Sequence, residues 1–291
     1  MSTTMSKQLK LMCIMAHPDD ESLGTGGILA KYSAEGVQTY LVTATRGERG
    51  WFGAPEDNPG PEELGRIREG ELYAAAHTLG LQDVAFLDYW DGEFDQADPA
   101  EVIGKIVRHL RRIKPDVVVT FDPYGAYGHP DHMAISQFTT AAVMAAVDAG
   151  YEPAQDLPPH QVTKLYYMAW DQKNYSAFEG AFGELVMNVN GEERRAKPWE
   201  DWAISAQVDT RAYWQTVWQA IKCHRSQLPG YSGLQKLPQE YHVEMWGNQT
   251  YYRVFSLVNG GFQKERDLFE GLRDSAGAAS GPVEPEGVLV G

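Results

Sequence analysis

Two short segments of the sequence place histidines beside carboxylates at spacings that suit metal binding. In the first, residues 16–22 (AHPDDES), His17 and Asp20 are three positions apart, close enough to hold one ion from a tight turn. An imidazole with a carboxylate is a ligand combination typical of zinc. Asp19, between them, is then free to act as a general base. The alternative is that Asp19 or Asp20 only caps the helix that follows, with help from Ser22.

The second segment, residues 127–132 (YGHPDH), repeats the His-Pro-Asp sequence. His129 and His132 are again three positions apart, on either side of Pro130 and Asp131. The alternative here is that Asp131 caps a helix and the histidines lie on the surface. Both segments follow apolar runs that we predict to be parallel strands, whose carboxyl ends meet at one edge of a sheet. One shared site therefore explains the two segments better than two separate helix caps.

A catalytic zinc ion takes three protein ligands and leaves one position for water. The three ligands predicted from these segments are His17, Asp20 and His132. Zinc lowers the pKa of its bound water toward about 7, and Asp19 is placed to take the proton. A protonated His129 would stabilise an oxyanion, with Asp131 holding its ring. Together these groups suit the hydrolysis of an amide or an ester.

The elements that must position these residues alternate between short apolar strands and longer helices over the first 150 residues. The predicted strands are 9–16, 39–44, 84–87 and 117–121, and the predicted helices are 23–36, 61–80, 102–113 and 131–150. This alternation predicts βαβ units and a Rossmann-like α/β fold with a doubly wound, mostly parallel sheet. Such sheets bind ligands beyond the carboxyl ends of their strands, at the switch point, where both segments are expected.

The rest of the chain is less regular and predicts an irregular α+β extension. Its predicted elements are strands at 164–170, 204–208 and 251–257 and a helix at 210–224, whereas residues 174–200 have no assignment. We expect one domain over 1–274, with a core at 9–150 and a C-terminal elaboration at 151–274. Residues 275–291 are rich in Gly, Ala, Pro and Glu and predict a disordered tail.

Composition excludes several classes of partner. The 291 residues include 25 basic and 40 acidic side chains, which gives a net charge of −15. A surface this negative repels phosphate backbones and anionic lipid, so we expect neither nucleic-acid nor membrane partners. Cys13 and Cys223 provide no disulfide framework. Residues 1–10 lack the apolar segment of a signal peptide, and no run approaches 18 apolar residues, so a cytoplasmic protein is expected.

The paired segments resemble the signatures of the LmbE-like, or PIG-L, zinc deacetylases, which remove an acetyl group from N-acetylglucosaminyl compounds. Residues 45–48 (TRGE) and 68–72 (REGEL) are similar to further segments of that family. Residues 122–128 (DPYGAYG) and 224–227 (HRSQ) look most like the branch that acts on the sugar precursors of mycothiol and bacillithiol. The likeness is dense to about residue 150 and sparse after it.

The resemblance implies a role for each matching residue. The implied metal ligands are again His17, Asp20 and His132. The implied catalytic groups are Asp19 as general base, His129 with Asp131 at the oxyanion, and Tyr127 near the acetyl group. The implied sugar or polyol contacts are Arg68, Glu48 and Asp91. Gly24 stands where some relatives have a serine, so the hydroxyl contact of that serine is not expected here.

The sequence thus predicts a cytoplasmic, zinc-dependent N-deacetylase of an N-acetylglucosamine-type substrate, with Fe²⁺, Co²⁺ or Mn²⁺ as alternative metals. The nearest alternative is an amidase that cleaves a larger thiol-sugar conjugate by the same chemistry. A metallophosphoesterase would hold a second metal ion about 3.5–4 Å from the first. A non-catalytic sugar-binding protein would bind its ligand without releasing acetate. The expected partner is a small N-acetylated amino sugar or sugar conjugate, and a homo-oligomer is left open.

Overall fold

The structure is a computed structural model, and it describes residues 7–273. A seven-stranded sheet runs through this part of the chain. The strands are β1 (Lys10–Met15), β2 (Gln38–Thr45), β3 (Asp83–Tyr89), β4 (Val117–Thr120), β5 (Lys164–Met168), β6 (Val186–Val189), β7 (Glu192–Arg195), β8 (Ala206–Asp209) and β9 (Asn248–Ser256). In the main sheet their order is β3-β2-β1-β4-β5-β9-β8, and β6 pairs with β7 in a separate hairpin. The tail predicted at 275–291 lies outside the described residues.

The first five strands of the main sheet are parallel, and β9 is antiparallel to both of its neighbours. This confirms the predicted Rossmann-like, mostly parallel sheet with an α+β extension. β1 has β2 on one side and β4 on the other, so the direction of winding reverses between β1 and β4. That reversal is the topological switch point at which ligands of such sheets bind.

Helices flank the sheet in two groups. They are α1 (Asp20–Ala34), α2 (Pro61–Leu79), α3 (Pro99–Ile113), the single turn α4 (Gly125–Gly128), α5 (Pro130–Ala145), α6 (Gln172–Phe182), α7 (Trp214–Cys223), α8 (Ser232–Lys236) and α9 (Gln239–Trp246). α1, α2 and α7 pack together, and α3 packs on α5. A proline at the first helical position begins α2, α3 and α5, where a missing N–H costs nothing. Within residues 7–273, no helix combines the length and apolarity needed to cross a membrane.

The core lies where apolar strands are covered on both faces. β4 is buried throughout, and β1 is buried from its second residue onward. Such continuous apolar runs are typical of strands in a parallel sheet that has helices on each side. On α2, Leu72 and Leu79 are buried, whereas Ile67 is 37% exposed.

The structure differs from the sequence prediction in several segments, including α8 and α9, for which no element was predicted. The helix predicted at 131–150 ends at Ala145, because the carbonyls of Ala146 and Asp148 accept hydrogen bonds from the buried guanidinium of Arg111 instead of continuing the helix. The unassigned residues 174–200 contain most of α6 and the hairpin of β6 and β7.

Candidate active site

The carboxyl ends of β1 and β4 meet at a cavity of about 310 Å³. His17 follows β1 after one residue, and Asp19 and Asp20 begin α1. His129 and His132 lie at the start of α5, after the loop that follows β4. The topology therefore brings both His-Pro-Asp segments to one opening. The predicted site residues that line the cavity are His17, Asp19, Asp20, Arg68, Asp91, Tyr127, His129 and His132.

His17, Asp20 and His132 place their nitrogen and oxygen atoms as close together as the ligands of one metal ion. Nδ1 of His17 lies 3.2 Å from Nε2 of His132 and 3.6 Å from Oδ2 of Asp20. The other Asp20 oxygen, Oδ1, lies 3.5 Å from the same His132 nitrogen. Burial raises the pKa of Asp20 to about 7, although the nearby His17 lowers it. A buried carboxylate beside two imidazole nitrogens is a donor set that suits a divalent cation.

His129 also lies close enough to His17 and His132 to be a metal ligand. The donor nitrogens of His17, His129 and His132 lie within 4.8 Å of one another, and the rings of His129 and His132 stack 4.6 Å apart. Nδ1 of His129, however, accepts the backbone N–H of Asp131 at 3.2 Å. Burial and the neighbouring His17 lower the pKa of His129 to about 4. Because Nδ1 accepts the Asp131 N–H, we assign the ring proton to Nε2, whereas a His129 protonated on both nitrogens is expected from the sequence.

The carboxylate of Asp131 contacts His17 rather than the ring of His129 in the described structure, which corrects a second expectation. Its Oδ2 lies 3.2 Å from Nε2 of His17 and accepts the N–H of Gly92 at 2.8 Å. The two residues lie at the start of α5, where the ring of His129 accepts the backbone N–H of Asp131 as the N-cap and Asp131 lies in the first turn. Burial would lower the pKa of His17, but hydrogen bonds to Asp131 and Asp91 raise it well above its ordinary value.

Asp91 and Glu48, which the resemblance implies as sugar contacts, support His17 from another side. Oδ1 of Asp91 lies 3.2 Å from Nε2 of His17, and Glu48 accepts the Asp91 N–H at 3.2 Å. Burial would raise the pKa of Asp91, but hydrogen bonding to His17 holds it well below its usual range. His17, Asp91 and Asp131 form a second group of possible ligand atoms. Both carboxylates approach the single Nε2 atom, so they serve as hydrogen-bond partners that orient the ring.

Asp19 has a backbone conformation that is rare for a residue other than glycine, with φ 110° and ψ −27°. It occupies the N-cap position of α1, yet its side chain makes no capping hydrogen bond in the described structure. Instead, Oδ2 accepts hydrogen bonds from Arg68 at 3.1 Å and from the hydroxyl of Tyr231 at 2.5 Å. Arg68 also donates to the carbonyls of Pro18 and Gly47. Arg68 therefore fixes the Asp19 carboxylate, while its implied sugar contact stays a prediction.

Tyr231 is a site residue that the sequence analysis did not identify. It is buried and lies 212 positions from Asp19 in the chain, so no local pattern connects the two. Its ring meets Phe182 edge to face at 5.9 Å, and Trp170 stacks on Phe178 at 4.6 Å. Trp170, Phe178 and Phe182 form what we call the apolar wall of the cavity. The closest sequence signal was the nearby HRSQ segment.

Tyr127 lies beside the histidines, while its implied place near the acetyl group stays a prediction. Its ring meets those of His132 at 5.5 Å and His129 at 6.1 Å, both edge to face. The preceding residue, Ala126, has a strained backbone with φ 64° and ψ −69°. Asp122 accepts the Ala126 N–H at 2.7 Å and holds this turn.

Gly24 lines the cavity beneath Met168. A Cβ atom at this position would lie 2.9 Å from the sulfur of Met168, which would have to move. Close packing by Met168 thus accounts for glycine where some relatives have a serine. Gly24 therefore offers no side-chain hydroxyl to the cavity.

Known proteins of one family match this chain. A family model described as GlcNAc-PI de-N-acetylase (PIG-L) matches residues 12–143, which include both His-Pro-Asp segments. A 1D-myo-inositol 2-acetamido-2-deoxy-alpha-D-glucopyranoside deacetylase of Salinispora arenicola is 32% identical over 297 residues, covering 92% of this chain and 93% of the relative. A mycothiol S-conjugate amidase of Streptomyces coelicolor is 28% identical over 302 residues, covering 94% of this chain and 100% of the relative.

A solved structure also shares the fold. It is that of a conserved protein from Thermus thermophilus, with a TM-score of 0.60 and 27% identity, covering 87% of this chain and 97% of that one. The match thus extends over the core and the C-terminal part, beyond the two motifs. The chain belongs to the GlcNAc-PI de-N-acetylase (PIG-L) family of enzymes.

Proposed function

We propose that the protein is a metal-dependent N-deacetylase that releases acetate from an N-acetylglucosamine-type substrate. The observation that carries the proposal is the convergence of His17, Asp20 and His132 beside the fixed carboxylate of Asp19 in one cavity. The family, and the deacetylase named among the relatives, support the substrate class.

His17, Asp20 and His132 are the residues that we propose hold the metal ion. Their donor atoms lie 3.2–3.6 Å apart. The other ring nitrogen of His17, Nε2, forms a hydrogen bond with Asp131, as is usual for imidazoles that bind a metal. Zinc is the metal we propose, with Fe²⁺, Co²⁺ and Mn²⁺ as alternatives that accept the same ligands. When bound, such an ion polarises the amide carbonyl and lowers the pKa of a coordinated water.

Asp19 is the group that we propose takes a proton from the attacking water and returns it to the departing amine. Arg68 and Tyr231 hold its Oδ2 atom, which leaves Oδ1 for the proton transfer. His129, neutral and with its proton on Nε2, donates to the carbonyl oxygen as negative charge develops there. Acetate and a free amino sugar are the products.

The apolar wall favours a second candidate function, an amidase that cleaves a larger thiol-sugar conjugate. Trp170, Phe178 and Phe182 present mainly apolar surface, against which an apolar substituent gains free energy by burial. The amidase named among the relatives agrees with this candidate. The same catalytic groups would serve both reactions, so the substrate decides between them.

The setting that we propose is the cytoplasm. Cys13 and Cys223 are free thiols, as is usual in a reducing compartment. The net charge of −15 disfavours nucleic acid and anionic membranes. The proposed partner is therefore a small N-acetylated sugar or sugar conjugate.

Amide cleavage by metal-stripped protein, before and after one metal is added at a time, tests the proposal; it is followed as the free amino sugar, which both substrates release, and as acetate, which only the N-acetyl substrate releases. The substrates are an N-acetylglucosamine glycoside and an S-alkylated thiol-sugar conjugate, with anaerobic handling for Fe²⁺. We expect acetate from the glycoside, restored by one ion per chain. Faster cleavage of the conjugate would favour the amidase. Phosphate release with two ions per chain, or tight sugar binding without acetate, would overturn the proposal.

A further inference from the structure

A fully buried ion pair lies beneath the turn that carries Asp19. Nε2 of His224 lies 2.8 Å from Oε1 of Glu21, and both side chains are 0% exposed. His224 directly follows α7, so a helix from the C-terminal part of the chain places it at the start of α1. Because an ionised carboxylate only accepts hydrogen bonds, we assign the shared proton to Nε2 of His224.

The other oxygen of Glu21 holds the backbone of Asp19. Oε2 accepts the Asp19 N–H at 2.9 Å, at the residue whose φ is 110°. A strained conformation of this kind persists only where the surrounding structure enforces it. Glu21 also accepts the hydroxyl of Ser22 at 2.5 Å. The carboxylate of Glu21 thus connects His224 to the backbone of Asp19.

We infer that Glu21 and His224 are positioning residues for Asp19. His224 orients the Glu21 carboxylate, and Glu21 stabilises the strained turn that directs the Asp19 side chain into the cavity. Arg68 and Tyr231 fix the carboxylate end of Asp19, whereas Glu21 fixes its backbone end. The inference rests on the proposed function, in which Asp19 moves the proton.

The test compares His224→Leu with His224→Gln, whose amide can donate to Glu21 from nearly the same place. We expect His224→Leu to lower kcat for acetate release roughly 10- to 100-fold, with KM and bound metal changed by less than about twofold. His224→Gln should recover most of the lost kcat. The control is Ile221→Val, which trims a buried apolar side chain on the same helix and should keep the wild-type kcat.

Two further measurements separate positioning from general damage. Amide hydrogen exchange over residues 17–22 should be faster in His224→Leu and in Glu21→Gln than in the wild type, and unchanged in Ile221→Val. The double variant of His224→Leu with Glu21→Gln should lose no more kcat than the worse single variant, because both changes interrupt the same hydrogen-bonded connection from His224 to the Asp19 backbone. Should His224→Leu fail to fold, Glu21→Gln, which keeps the side-chain shape, provides the same test.

The outcomes are distinct. Wild-type kcat in His224→Leu, no recovery in His224→Gln, or an equal loss in Ile221→Val would overturn the positioning role. A wild-type protein that releases no acetate would contradict the proposed function instead. The exchange rates over residues 17–22 would then decide the positioning role without reference to turnover.

Discussion

Replacing Arg68 with Met removes the guanidinium that fixes Asp19 and keeps an apolar stem. The Arg68 side chain is 3% exposed, and its Nη2 lies 3.1 Å from Oδ2 of Asp19, whose side chain is 13% exposed. The same guanidinium donates to the carbonyls of Pro18 and Gly47, so it links the end of β1 to the loop after β2. At Gly47, where φ is 69°, a Cβ atom would overlap the guanidinium.

Removing one member of a buried ion pair leaves the other uncompensated, which costs about 3–5 kcal/mol of unfolding free energy. Asp19 keeps the hydrogen bond from Tyr231 and some contact with water. We therefore expect Arg68→Met to lower the free energy of unfolding by about 3 kcal/mol, which is near the lower end of that range. Because the freed carboxylate loses its fixed direction, kcat should fall roughly tenfold or more.

Urea unfolding of the metal-loaded protein measures this loss, and Arg66→Met is the matched control. Arg66 lies on the same helix, but its ion pair with Glu63 is exposed, at 72% and 51%. Its removal should change the unfolding free energy by less than about 1 kcal/mol. A loss below about 1 kcal/mol in Arg68→Met, or equal losses in the two variants, would show that the buried Arg68–Asp19 pair does not stabilise the fold more than an exposed one.

Three further predictions concern the ligands, the substrate and the fold. Asp20→Asn should lose the bound metal, whereas His129→Asn should keep the metal and lose turnover. Metal analysis and acetate assays measure the two effects, and the reverse pattern would make His129 the ligand in place of Asp20. Phe178→Ala should raise KM for an aryl-bearing conjugate more than for N-acetylglucosamine. Equal changes in KM for the two substrates would show that the apolar wall does not bind the aryl group. Lys164 and Glu265 form a buried ion pair, and Arg253 also lies 3.2 Å from Glu265, so Lys164→Met should lower the unfolding free energy in urea by about 2 kcal/mol, less than the roughly 3–5 kcal/mol of a charge left without a partner. No loss would contradict this.

The fold of the first 150 residues could be predicted because its strands are short apolar runs separated by helices with clear ends. Gly80 in a left-handed conformation ends α2, and Pro99 after the capping Asp98 begins α3. The placement of His17 and His132 follows from the same pattern, since each lies in a segment that follows a predicted parallel strand. Local signals and topology were sufficient there.

The remaining features depend on contacts between residues far apart in the chain. His224 reaches Glu21 across 203 positions, and Tyr231 reaches Asp19 across 212. The HRSQ segment draws attention to His224, but nothing in the local residue types indicates its partner Glu21 or distinguishes Tyr231 from an ordinary core residue. The partner of Asp131 was also wrongly expected, because side-chain directions in the first turn of α5 decide it.

Asp19→Asn separates the proposed proton transfer from metal binding, because the amide keeps an oxygen for Arg68 and Tyr231 and cannot take a proton. The measurement is acetate release together with the metal-to-protein ratio on the same sample. We predict one bound ion per chain, as in the wild type, and a loss of acetate release of roughly 100-fold or more. Retained acetate release would show that Asp19 does not transfer the proton, and loss of the metal would show that Asp19 helps to bind it.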